Sequence, residues 1–311
     1  MAARIFILCP GQGAQAVGMG EDLFEASAVA RKVFERSDAL LGFDISALCF
    51  CGPEDRLNQT DISQPALFIA AVASFRAAED AGIIASDDIT AFAGLSLGEY
   101  TALHLAGVFS FEDGLKLVAA RGKYMQEAAV ASPSGMVAIL GADEAAVNVL
   151  CQQAAQGDVL VPANLNAPGQ IVVSGAKAAC ERVLALAEAG GMKATALKVA
   201  GAFHSPLMRP AADRMGAELE KVRFAEPSAP VYSNVTAQPH GDAASIKRRL
   251  VEQIVSPVQW ERTMKTLIAG DEHGRFVELA PGRTLAGLAK RINRRLPIES
   301  VGTWEMLKQK C

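Results

Sequence analysis

The residues Phe92-Ala93-Gly94-Leu95-Ser96-Leu97-Gly98-Glu99-Tyr100 carry Gly-x-Ser-x-Gly between an apolar run and a helix-forming run. A serine so placed sits on a tight turn from strand to helix, its hydroxyl lifted clear of the sheet. Glycines two before and two after it let the backbones pass where a Cβ would collide. The hydroxyl then lies at the partly positive N-terminus of a helix, where backbone N–H groups stabilise an oxyanion. That is equipment for covalent catalysis at a carbonyl carbon. The pattern alone is weak, because small residues gather in turns by chance. Context strengthens it: residues 89–93 fit a buried strand and residues 99–103 a helix. Ser96 is the candidate nucleophile.

A serine hydroxyl needs a base within hydrogen-bond reach. Four histidines are available. His104 is eight residues beyond Ser96 on the same helix, about 12 Å along its axis, which is too far. His240, in Pro239-His240-Gly241-Asp242, and His273, in Asp271-Glu272-His273-Gly274, read as solvated loop residues. His204 follows Gly201-Ala202-Phe203, where the small Gly201 and Ala202 permit close backbone approach, and is favoured as the base. The alternative is a satisfied structural histidine. Arg121 has two readings as well: a surface arginine whose stem covers apolar neighbours, or a fixed guanidinium gripping a carboxylate in bidentate fashion. Spacing alone favours the first. The loop Pro10-Gly11-Gln12-Gly13-Ala14-Gln15 lacks Gly-Lys-[Ser/Thr] and has Ala16 where a dinucleotide loop has glycine. It reads better as a donor of backbone N–H to an oxyanion hole.

The elements that must position these groups alternate. A short buried strand over 4–8 precedes the glycine loop, helical patterning runs over 23–41 and 65–81, and the elbow strand follows. Ser110 with Asp113 three residues later caps a helix whose stripe is Phe111, Leu115, Val118, Gly122 and Met125. Alternating strands and helices of this length indicate an α/β fold with a mostly parallel sheet. Between residues 132 and 200 the order becomes strand, helix, strand, strand, helix, strand, the ferredoxin-like βαββαβ unit. The expected organisation is a discontinuous catalytic domain over 1–131 and 201–311, with a small domain over 132–200 inserted into it. Clefts between two such domains favour ligands. A last helix is expected over 284–295.

The chain has 311 residues, 50% hydrophobic and 21% charged, enough for a large core. A net charge of -4 argues against nucleic acid as the main partner. Six cysteines without a Cys-x-x-Cys pair, and no histidines at zinc spacing, read as reduced thiols of a cytosolic protein with no metal centre. No apolar run approaches the ~20 residues of a membrane span. Basic residues cluster at Lys247-Arg248-Arg249 and at Lys290, Arg291, Arg294 and Arg295. They read either as solvated helix faces or as a docking patch for an acidic protein.

The ordered set Pro10-Gly11-Gln12-Gly13, Gly94 to Tyr100, Arg121-Gly122 and Gly201-Ala202-Phe203-His204-Ser205 resembles the malonyl-CoA:acyl carrier protein transacylases. So do Asn164 to Gln170, Gln253 with Pro257-Val258-Gln259-Trp260, and Glu278 to Leu285. The resemblance spans essentially the whole chain, and the combination is far more specific than any piece. It implies an α/β-hydrolase-like large domain with a ferredoxin-like small one. It also implies Ser96 as nucleophile, His204 as base, and the backbone N–H groups of Gln12 and Leu97 as oxyanion hole. Arg121 would grip the malonyl carboxylate, reversing the reading from spacing, and Gln253 would orient His204 without any acidic third member. A bulky Phe203 would crowd an α-methyl branch. Two residues depart from the family: Leu95 where histidine often precedes the serine, and Ala14 where serine is common.

The implied partners are malonyl-CoA and an acidic acyl carrier protein docking near Lys290, Arg291, Arg294 and Arg295, with no cofactor. The alternatives are a trans-acting polyketide acyltransferase, a serine thioesterase or esterase, and a non-catalytic carrier-binding module. A hydrolase of this elbow type usually places an acid before a late histidine, and Arg121 would have no purpose in it.

Overall fold

The computed structural model describes residues 4–309. Strand β1 (Ile5–Cys9) leads through the glycine loop to helices α1 (Glu21–Ala26), α2 (Ala28–Leu41), α3 (Ile45–Cys51), α4 (Glu54–Leu57) and the long α5 (Thr60–Asp80). The elbow strand β2 (Ile89–Gly94) enters α6 (Leu97–Leu105), and α7 (Phe111–Ala131) follows. Next come β3 (Ser134–Leu140), α8 (Glu144–Ala155), β4 (Leu160–Ala167), β5 (Gln170–Ala176), α9 (Lys177–Ala189) and β6 (Lys193–Ala196). The chain ends through α10 (Arg209–Glu220), β7 (Val231–Tyr232), α11 (Ala243–Gln253), α12 (Trp260–Gly270), β8 (Arg275–Glu278), α13 (Thr284–Ile292), β9 (Ile298–Ser300) and α14 (Trp304–Lys308).

One sheet has the order β7-β2-β1-β8-β9, and its neighbouring strands pair in parallel. Its central strand is buried on both faces. Ile5, Ile7 and Cys9 face the larger core, built on α2, α5 and α7, while Phe6 and Leu8 face Trp260, Met264 and Leu285 of α12 and α13. Parallel strands put all their C-terminal ends on one edge, and that edge carries both the glycine loop after β1 and the elbow after β2. The second sheet is antiparallel, in the order β4-β5-β3-β6, with α8 and α9 packed on it around a separate core of Val137, Ile139, Leu150, Val173 and Val183. This is the βαββαβ order expected from the sequence. Backbone bonds from Leu165 N to Val258 O (2.9 Å) and from Val258 N to Ala163 O (2.8 Å) stitch β4 to the segment before α12, tying the two layers together.

Boundaries shifted where local chemistry intervened. The helix expected over 23–41 breaks at Ser27, whose extended backbone lets its side chain cap α2 by accepting from Ala30 N. The helix expected from residue 65 starts at Thr60, with Pro65 inside it. The last long helix stops at Ile292 rather than 295, because the Asn293 side chain accepts from Arg295 N and turns the chain so that Leu296 reaches the core.

Candidate active site

The elbow is built by close approach. A Cβ on Gly94 would lie 2.0 Å from the Gly98 carbonyl, and one on Gly98 would lie 2.1 Å from the Cys9 carbonyl oxygen. With both absent, β2 turns into α6 directly against the end of β1. Ser96 takes φ 54°, ψ -105° as the residue before the helix. His204, also a non-glycine residue, has φ 58°. Such backbones cost of order 1–3 kcal/mol each and persist where the surroundings hold them.

Ser96 Oγ lies 2.7 Å from His204 Nε2. His204 Nδ1 is 2.8 Å from the main-chain oxygen of Gln253, the last residue of α11. The last turn of a helix leaves carbonyls without intrahelical donors, and one of them is used here. A carbonyl can only accept, so the proton sits on Nδ1 and Nε2 is left to take the serine proton. Burial, and then the positive charge of Arg121, push the His204 pKa from 6.5 down to about 4, so the ring is neutral at ordinary pH.

Arg121, on α7, is not the surface residue that spacing favoured: it is 1% exposed. Its Nη2 donates to Ser96 Oγ (3.1 Å) and to Gln253 Oε1 (2.8 Å), and its Nη1 donates to Gln64 Oε1 (2.6 Å). Its guanidinium carbon lies 5.5 Å from the centre of the Tyr100 ring. Four helices thus fix one guanidinium beside the hydroxyl, through neutral partners that leave its charge uncancelled.

Most backbone N–H groups of the elbow already have acceptors. Ser96 N–H is taken by Asn234 Oδ1 (2.6 Å), Gly98 N bonds Leu95 O and Glu99 N bonds Ser96 O. Leu97 N–H, first in the helix, is left as an orphan donor. The Leu97 side chain itself is buried in the core. Gln12, on the loop after β1, lines the cavity above Ser96. That cavity, about 350 Å³, lies between the sheets. Gln12, Asn58, Leu95, Met125, Phe203, His204 and Leu288 form one wall, and Met136, Asn164, Asn166, Gln170 and Val172 of the antiparallel sheet form the other. Among the described residues no group of three or more His, Cys, Asp or Glu side chains is placed to hold a metal ion.

The model of the acyl transferase domain family matches residues 5–305. The chain belongs to the acyl transferase family. It is 43% identical over 285 residues to the malonyl CoA-acyl carrier protein transacylase of Salmonella typhimurium, covering 91% of each chain. Among solved structures it is similar to the malonyl CoA-acyl carrier protein transacylase of Coxiella burnetii, with TM-score 0.95, 40% identity and coverage of 99% of this chain and 97% of that one. It is equally close to a malonyl-transacylase solved with its type II PKS acyl-carrier protein, with TM-score 0.94, 39% identity and 99% of both chains covered.

In this acyl transferase the sequence-selected residues Ser96, His204, Arg121 and Gln253 meet within hydrogen-bond distance, while Gln12 and Phe203 line the cavity beside them. Four supporting residues lie outside the set that the sequence assigns to the site. Gln64 and Asn234 hold Arg121 and the elbow. Glu99 and His240 form a fully buried pair 2.6 Å apart behind Gln253, so the solvated-loop reading of His240 is corrected. The Asn234 N–H bond to Glu99 and the His240 N–H bond to Val231 O fold the loop after β7 over α6, which carries His240 inward. A polar loop sequence gives no sign of that. His104 also lies inside, with Nδ1 3.1 Å from Phe109 O, and takes no part in the site. Among the described residues no helix is long and apolar enough to cross a membrane.

Proposed function

We propose that this chain moves a malonyl group from malonyl-CoA to the phosphopantetheine thiol of acyl carrier protein through a malonyl-serine ester, supplying fatty-acid synthesis in the cytoplasm. The observation that carries the reading is the Ser96 hydroxyl held between a base at 2.7 Å and a buried guanidinium at 3.1 Å. An elbow serine with a histidine suits any acyl transfer. An adjacent uncancelled cation suits an acyl group that ends in a carboxylate.

His204 Nε2 takes the Ser96 proton as Oγ attacks the thioester carbon. The N–H groups of Gln12 and Leu97 receive the oxyanion. The tetrahedral adduct collapses, the carbon–sulfur bond breaks, and the departing thiolate takes the proton from His204 to leave as CoA. In the second half the carrier thiol gives its proton to His204, its sulfur attacks the ester, and Ser96 leaves with that proton. Arg121 holds the malonyl carboxylate throughout, Gln253 orients His204, and Phe203 crowds an α-methyl branch, worth ~1–3 kcal/mol of discrimination. The catalytic unit is assigned to 1–131 and 201–311, with 132–200 as the inserted lobe that closes the cleft. Five cysteines without disulfide partners among the described residues suit a reducing compartment.

The test is incubation with labelled malonyl-CoA and a fatty-acid carrier protein. Malonyl-carrier formation with a trapped malonyl adduct on Ser96 is the expected result. Free malonate without malonyl-carrier would instead indicate a hydrolase. Faster transfer to a polyketide carrier would shift the pathway but not the chemistry.

A further inference from the structure

The mechanism above leaves one buried cluster unused. Glu99, on the first turn of α6, is 0% exposed and has three donors: His240 Nε2 on Oε1 (2.6 Å), and on Oε2 both Asn234 N (3.0 Å) and Gln253 Nε2 (2.8 Å). Gln253 is the point where this cluster touches the chemistry. Its amide nitrogen also donates to Ser96 O (2.9 Å), its amide oxygen accepts from Arg121, and its main-chain oxygen accepts from His204. We propose that Glu99, anchored by His240, is a positioning residue that fixes Gln253 and through it both His204 and Arg121. The inference rests on the transacylase reading for the role of Arg121.

Two observations favour it over simple core filling. First, His240 Nδ1 is buried without a hydrogen-bond partner. An orphaned ring nitrogen is costly, so the fold keeps the His240 ring inside for the one bond that ring makes, to Glu99. Second, the carboxylate and the guanidinium are bridged by a neutral amide instead of touching. A direct Glu99–Arg121 pair would spend the positive charge on the protein. With Gln253 between them, the anion orients the cation through two charge-assisted bonds and leaves its field for an incoming carboxylate. The same amide clamps the elbow backbone, so nucleophile, base and carboxylate site share one reference point.

The test uses the full-length His240→Ala and His240→Gln variants, each followed by thermal unfolding. Rates are measured for malonyl transfer and for acylation by p-nitrophenyl acetate, whose acyl group lacks a carboxylate and calls only on Ser96 and His204. Because ångström misplacement at a reacting group costs up to about 100-fold, His240→Ala should lose at least about tenfold in kcat with both substrates. His240→Gln, whose amide nitrogen reaches the place of Nε2, should recover most of that loss. Undiminished rates in folded His240→Ala, or a loss that His240→Gln does not restore, would overturn the proposal. Should His240→Ala not fold, Glu99→Asp, which keeps the charge and withdraws it by one methylene, must show the same paired loss, and unchanged rates there overturn it too. A wild-type enzyme acylated by the ester but unable to transfer malonyl would sink the transacylase reading while the ester arm still judges Glu99. Inertness toward both substrates would sink both.

Discussion

Arg121 Nη2 donates to Ser96 Oγ across 3.1 Å, so the buried cation and the nucleophile are neighbours before any substrate arrives. A carboxylate gripped by this guanidinium is within one short acyl chain of the hydroxyl. On the proposed role of Arg121, the site would select a dicarboxylic monothioester by length as well as by charge.

Arg121→Ala therefore separates recognition from chemistry. Hydrogen bonds to charged groups are worth about 1.5–3 kcal/mol each, and losing two predicts a fall of about 100-fold or more in malonyl kcat/KM. Acetyl transfer, which has no carboxylate to place, should fall far less. Equal losses for the two acyl groups would make Arg121 a structural residue.

The parts legible in the sequence are those with short-range causes. Glycine spacing around Ser96 sets the elbow, and strand–helix alternation sets both sheets. What escaped needed long-range contacts. Arg121 looks like a surface residue in its own helix, because its partners Gln64 and Gln253 are 57 and 132 positions away. His240 sits among loop formers, and only the return of the chain after β7 buries it against Glu99, 141 positions distant. Even Ser96 and His204, selected from local cues, come together across 108 positions that no local pattern spans.

The base should also declare itself in pH profiles. As the proposed base, His204 would work as neutral imidazole, and burial and the charge of Arg121 lower its pKa to about 4 in the free enzyme. Malonyl kcat/KM should be flat from about pH 8 to 5, then fall about tenfold per unit below about 4. A bound carboxylate neutralises Arg121 and removes part of the downward push, so the acidic limb of kcat should lie above that of kcat/KM. Folding stability follows the same group. The folded pKa is depressed, so this contribution is full above 6.5 and is lost as pH falls through about 4. A free-enzyme limb near 6.5 would show that the ring is not buried beside a cation.

Gly98→Ala tests the elbow without touching a reactive group. The new methyl would lie 2.1 Å from the Cys9 carbonyl oxygen, a backbone atom that cannot swing aside. Urea unfolding should show a loss of about 3 kcal/mol. Whatever protein remains folded should acylate slowly, because α6 must move away from β1 and carry Ser96 with it. A stable, fully active Gly98→Ala would mean that this contact is looser than the geometry states.

The two basic clusters should behave differently. On α11, Lys247 pairs with Glu220 and packs on Phe224, and Arg249 pairs with Glu252, so these two charges are already engaged within the chain. Lys290, Arg291, Arg294 and Arg295 are all exposed, and among the described residues no carboxylate forms an ion pair with them. Lys290 and Arg291 stand in the last turn of α13, whose Thr284 and Leu288 line the cavity, and Arg294 and Arg295 follow just beyond it, so an acidic carrier held there is next to an element that borders the site. Charges at the rim of an interface act chiefly on encounter and weaken with salt. Reversing the four to glutamate should raise the carrier KM, most strongly at low ionic strength, and leave acylation of Ser96 by malonyl-CoA unchanged. Reversing Arg248 and Arg249 on α11 should cost stability through the lost Glu252 pair and leave the carrier KM near its starting value. If instead the α11 variant alone weakens the carrier, the docking face is on α11 and not at the end of α13.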